Sequence, residues 1–169
     1  MEEKHFLEQL GEDLARKLGE AIWAFAKIEW LTYEYIKRLS SEDILYLVGD
    51  QNFKPRLKIL AKLVEKFGTE ASPIEKAKVL ISRAEKLSDQ RNAIVHNPWQ
   101  IYVDFEKSDF VTEIYKYTNR QRRFSIEDIE SFSREAETVA QNLKAELEAL
   151  SKSLNRTRDD GAARRLVSR

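Results

Sequence analysis

The sequence predicts an all-α fold: a bundle of four to five helices with one small β-hairpin insertion around residues 100–118. Three observations predict it. Apolar residues recur at helical intervals over most of the chain. Helix start and stop signals fall where those runs begin and end. One stretch near residue 100 switches to a period of two, as a half-buried strand does.

The elements follow in order. Phe6 or Leu7, Leu10, Leu14, Leu18, Ile22, Phe25, Ile28, Tyr35 or Ile36, and Leu39 share one helical stripe. They describe one long amphipathic helix, or two stacked pieces broken near Gly11 or Gly19. A short helix is expected at 42–48, with Ser41 as its cap. The next, over 54–67, carries Leu57, Leu60, Leu63, Val64 and Phe67 on one side and stops at Gly68. Ser72-Pro73-Ile74-Glu75 is a capping box with Pro73 in the first helical position. That helix is expected to run from 73 to 96, because Pro98 disfavours helical geometry at Asn97. Ile101, Val103 and Phe105 then alternate with Gln100, Tyr102 and Asp104. Glu106 to Asp109 reads as a turn, and Phe110 to Tyr117 as the second strand of a hairpin. Helix resumes after Ser125, with Phe124 and Ile129 at staple positions, and continues to about Ser151. Residues 152–169 are polar, basic and aperiodic, which predicts a disordered tail. The expected organisation is therefore one domain over 1–151 and that tail.

Composition removes several classes of chemistry. The chain has 169 residues and is 42% hydrophobic, enough for one buried core. It has no cysteine, which excludes disulfides, thiolate zinc sites, iron–sulfur clusters and cysteine nucleophiles. His5 and His96 are its two histidines, too few for a multi-histidine metal site, so neither a metal nor a cofactor is expected. No glycines are spaced as a phosphate-cradling loop. The longest apolar run, Ala21 to Ala26, cannot span a bilayer. Met1-Glu2-Glu3-Lys4 lacks the basic and apolar regions of a signal peptide. These features predict a soluble, cytoplasmic protein with no membrane partner.

Charge is balanced in total, 29 basic against 29 acidic residues, but unevenly placed. Residues 1–50 carry a net −5, 51–100 a net +5, 101–150 a net −4 and 151–169 a net +4. Solvated helix faces account for such blocks in most proteins. A local anionic-ligand site within 51–100 is the sharper alternative.

Two charges break the core pattern. In the 73–96 helix, Ala77, Leu80, Ile81, Ala84, Leu87, Ile94 and Val95 form the apolar face, and Arg91 projects into it. Asn92 and His96, four apart, line the edge beside it. In the first helix Glu29 falls on the apolar side, among Ile22, Phe25, Tyr33 and Ile36. A charge so placed needs a partner or a ligand, so Glu29 is expected to support Arg91 by pairing with it. Such a pair could equally serve only to fix helix register. Trp23 and Trp30, seven apart, belong either beneath another helix or in a dimer seam.

Arg91-Asn92-Ala93-Ile94-Val95-His96 resembles the Arg-x4-6-His motif of the HEPN superfamily, with a polar residue just after the arginine. The wider phrase from Lys86 to Trp99 looks like the usual setting of that motif, late in a helix and before a chain reversal. Ala24-Phe25-Ala26-Lys27-Ile28-Glu29-Trp30-Leu31 resembles the aromatic-plus-glutamate stretch of the first helix in such domains. The resemblance covers residues 5–150 and implies a HEPN-like bundle and metal-independent RNA cleavage in a homodimer. It further implies a toxin or phage-defence effector, with an antitoxin or defence-system partner protein. Arg91, Asn92 and His96 would be the catalytic residues. A ribose 2′-hydroxyl would attack the adjacent phosphate, with histidine as the acid or base near neutrality. Arginine would match the phosphate oxygens with its fixed fork of donors. Arg120, Arg122 and Arg123 would widen the RNA-binding surface. The alternatives are a non-catalytic nucleotide- or RNA-binding or dimerising adaptor module, and a plain helical interaction domain.

Overall fold

The computed structural model describes residues 2–40, 42–67, 71–104, 106, 109–116 and 119–167. The elements are α1 (Glu2–Leu39), α2 (Glu42–Gly49), α3 (Phe53–Phe67), α4 (Ala71–His96), β1 (Trp99–Asp104), β2 (Asp109–Lys116), β3 (Asn119–Ser125) and α5 (Ile126–Val167). Among the described residues the fold is thus five helices with one small antiparallel sheet, the all-α class that the sequence predicts.

α1 is a single helix, unbroken at Gly11 and Gly19. A glycine costs a helix only about 1 kcal/mol relative to alanine. The stripe that buries Leu14, Ala21, Ala24, Phe25 and Ile28 outweighs that cost. The start of α5 is set by a reciprocal cap. The Asp128 amide donates to Ser125 Oγ at 3.3 Å, and the Ser125 amide donates to Asp128 Oδ2 at 2.9 Å.

Two expectations need correction. The predicted hairpin is a three-stranded sheet of order β1-β2-β3. Trp99 faces Ile114 and Ile101 faces Thr112 across β1 and β2, while Ile114 faces Phe124 across β2 and β3. The ladder shifts register between Tyr115 and Lys116. Arg120, Arg122 and Arg123 therefore lie on a strand. β3 pairs on one side only and has Phe124 as its sole apolar residue, so it carries no period-two signal. Secondly, α5 runs to Val167, past the end expected near Ser151. Residues 152–167 contain no proline, and nine of them are arginine, leucine, alanine or lysine, which propagate an established helix.

The chain divides into two compact units. The first comprises Met1–Ala26 with Leu87–Glu137, and the second Lys27–Lys86 with Thr138–Arg169. In the first, Phe25 stacks on Phe132 with ring centroids 6.2 Å apart, and Ile94, Ile114 and Ile129 are buried. Lys17 Nζ reaches Glu130 at 2.6 Å and Asp13 at 3.3 Å.

In the second unit Ile28, Tyr35, Ile36, Leu57, Leu60, Leu143 and Leu147 are buried. The Tyr35 hydroxyl donates to the Lys144 carbonyl at 3.1 Å, and burial pushes its pKa up to about 12. Arg56 is only 5% exposed. It donates from Nε to Thr32 Oγ1 at 3.1 Å, and from Nη1 to the Gln51 carbonyl at 3.0 Å and to the Tyr33 hydroxyl. Its guanidinium lies 3.9 Å from the Tyr33 ring centroid and 5.7 Å from that of Phe53. The Tyr33 hydroxyl in turn donates to the Gly49 carbonyl at 3.2 Å. Arg56 thereby fastens α3 to α1 and to the turn after α2.

Candidate functional site

The candidate site lies at the end of α4, within the first unit. Leu87, Ala93 and Ile94 are buried and fix how the last turns face the core. The opposite side then presents Asn92 and His96 to solvent, with Arg91 half-buried between the two environments. The Asn97 side chain donates to the Ala93 carbonyl at 2.6 Å and satisfies one of the orphan acceptors of the helix end. Pro98 follows, and β1 begins at Trp99. His96 is thus the last helical residue before the chain reverses.

Arg91 is held from two sides. Its guanidinium carbon lies 5.4 Å from the Phe25 ring centroid. That ring is 1% exposed and braced by Phe132, so it is a fixed platform for a cation. Arg91 Nη1 also donates to Asn92 Oδ1 at 3.0 Å. This bond occupies the amide oxygen and keeps the Asn92 NH2 group as a donor. Asn92 and His96 are four apart and share a helix face. A permanent cation and an amide are therefore in contact near the end of the helix, and an imidazole stands one turn beyond the amide on its exposed face. Together they can hold an anionic oxygen and move a proton.

The sequence-predicted residues fare differently. Arg91 and Asn92 are in contact, with His96 one turn beyond Asn92 on the same face. Val95, expected on the apolar face, is 41% exposed, because it stands three residues from Asn92 on the side toward water. Glu29 is half-buried and belongs to the second unit; its carbonyl accepts from Thr32 Oγ1 at 2.7 Å. Arg123 is exposed and pairs across the sheet with Glu113 at 3.0 Å, so a carboxylate already meets its charge. The side chains of Arg120, Arg122 and His5 lie outside the described residues. Trp23 is 71% exposed and Trp30 55% exposed, so neither is covered by another helix of the chain.

The Phe25–Phe132 platform was not read as part of the site from sequence. Phe25 stood out only as a core position and a member of the aromatic stretch. Its place beneath Arg91 depends on two helices far apart in the chain.

Among the described residues no cluster of three His, Asp or Glu side chains is placed to hold a metal ion, and no helix is long and apolar enough to cross a membrane. Comparison with protein-family models, with curated proteins and with solved structures finds no match to this chain in any of the three.

Proposed function

We propose that the protein is a metal-independent endoribonuclease of the HEPN type. One observation carries the reading: Arg91 is fixed over Phe25 and bonded to Asn92 on the same exposed helix end as His96. Arg91 would bind a phosphate oxygen and oppose the charge that builds on phosphorus. Asn92 would donate to phosphate or orient the imidazole. The ribose 2′-oxygen attacks phosphorus, its proton passes to a base, and the bond to the 5′-oxygen breaks as that oxygen takes a proton. The products are a 2′,3′-cyclic phosphate and a free 5′-hydroxyl.

One His96 per chain supplies one proton-transfer group. A homodimer bringing two such ends to one cleft would supply the second. The exposure of Trp23 and Trp30 supports such an assembly, since large aromatics on a soluble surface mark contact sites. The test is incubation of the purified protein with labelled RNA in chelator. Cleavage with cyclic-phosphate ends is expected, and DNA, lacking the 2′-hydroxyl, should stay intact. Cleavage that requires added magnesium would defeat the reading.

A second reading, a non-cleaving RNA-binding or dimerising module, draws on charge. The unit that holds Arg91 has 10 basic and 16 acidic residues, which repels a polyanion from the end of α4 at long range, while the rest of the chain is net basic and can still bind one. Specific binding of RNA by a dimer that leaves it uncut would favour this second reading.

A further inference from the structure

The second unit has the opposite balance, 19 basic and 13 acidic residues. Part of that excess is ordered. On α3, Lys54, Lys58, Lys62 and Lys66 recur every four residues. Successive members of such a series rise about 6 Å along the helix and drift only about 40° around it. The opposite side buries Arg56, Leu57, Leu60 and Val64, which fixes the lysine side outward. Lys58, Lys62 and Lys66 are exposed, and Lys54 is half-buried.

The one acidic residue on this face is already committed. Glu65 lies 2.8 Å from Lys78 of α4, and the hydrogen bond from that ammonium holds its carboxyl below the usual range. Among the described residues no carboxylate forms an ion pair with Lys58, Lys62 or Lys66. The series spans about 18 Å, over which a stacked strand carries about five phosphates, one per about 3.4 Å.

We propose that this face of α3 docks the phosphodiester backbone of single-stranded RNA. The inference rests on the reading above for its choice of ligand, but not on cleavage. The chemistry favours a polyanionic chain over a lipid surface. No large apolar side chain of α3 is exposed, so the helix has nothing to insert among acyl chains. No aromatic of α3 itself is exposed, so contact along this helix is through phosphates and independent of base sequence.

The experiment is a fluorescence-anisotropy titration of labelled oligouridylate over a salt series. The full chain carrying His96→Ala, which keeps the RNA uncut, is compared with the same chain also carrying Lys58→Gln and Lys62→Gln. Circular dichroism confirms that both are folded. Each neutralised lysine should reduce the log K against log salt slope by about 0.7, so the pair removes about 1.4. Affinity at low salt should fall about tenfold or more. An unchanged slope and affinity would mean an ordinary solvated face and would overturn the proposal. So would absence of RNA binding, or binding to phosphatidylserine vesicles in its place. RNA binding that depends on these lysines, in a protein that never cleaves, would sink the nuclease reading alone. Normal cleavage with binding indifferent to both lysines would sink this proposal alone.

Discussion

Arg56 and Arg91 are both arginines laid over aromatic rings, yet their surroundings differ. Arg56 is sealed in, with two hydroxyls, one carbonyl and two ring faces around its guanidinium. Arg91 has one ring beneath it, an exposed asparagine beside it and solvent within reach. A guanidinium saturated by its own chain fastens elements together. On the reading proposed above, a half-buried one at a helix end would meet an anion at its exposed side. On the proposed reading, the contrast gives Arg56 a structural role and Arg91 a chemical one.

Substitution should separate those roles. Arg91→Ala is expected to slow RNA cleavage about 10²–10³-fold, the loss typical of a charge-stabilising donor. Arg56→Ala should cost roughly 3 kcal/mol of stability, because it strands buried hydroxyls and a carbonyl and leaves a void. Its residual folded fraction should cleave at the parent rate. Urea denaturation and single-turnover rates read both effects, and a large rate loss in folded Arg56→Ala would break the contrast.

A smaller effect tests the platform. Phe25→Leu and Phe132→Leu both weaken the same stacked pair, but only Phe25 lies beneath Arg91. Stability should fall in each. The cleavage rate should fall about tenfold in Phe25→Leu alone, the worth of a cation–π contact of roughly 1 kcal/mol or more. Equal rates in the two variants would make Phe25 ordinary core.

The second unit also predicts a pH dependence. Tyr35 is raised above its unfolded value, and its neutral form makes the bond to the Lys144 carbonyl. That contribution is full below about pH 10 and is lost as pH climbs toward 12. Tyr35→Phe should flatten the alkaline limb of a stability–pH curve, and an unaltered limb would count against a buried phenol. The smallest effects belong to α1. A Cβ at Gly11 or Gly19 would meet nothing within 4 Å. Each Gly→Ala change should therefore raise stability by roughly 0.5–1 kcal/mol in thermal unfolding.

How much was legible in the sequence follows the range of each interaction. The limits of α3 and α4 were read to within two residues, because apolar spacing is local, although α4 begins at Ala71 and takes in Ser72, the expected cap. β1 announced itself by alternation and β2 by its aromatic and β-branched residues. β3 did not, since Asn119, Arg120, Gln121, Arg122 and Arg123 offer no apolar alternation and the strand is held by its pairing with β2. Arg91, Asn92 and His96 were legible as a group because one helix carries all three. Phe25 beneath Arg91, and the ring of groups around Arg56, were not, since both need residues far apart in sequence to meet. Nothing local distinguishes Arg56 from the lysines that flank it.

The central claim is that the open end of α4 performs proton transfer on RNA. The most direct measurement is the single-turnover rate at which His96→Ala cleaves one labelled RNA in chelator, set beside the parent rate, with folding and dimer state confirmed for both. The account predicts that the parent yields cyclic-phosphate ends and that His96→Ala is slower by roughly 10²–10⁴-fold. A folded His96→Ala protein that cuts the same RNA as fast as the parent would contradict it.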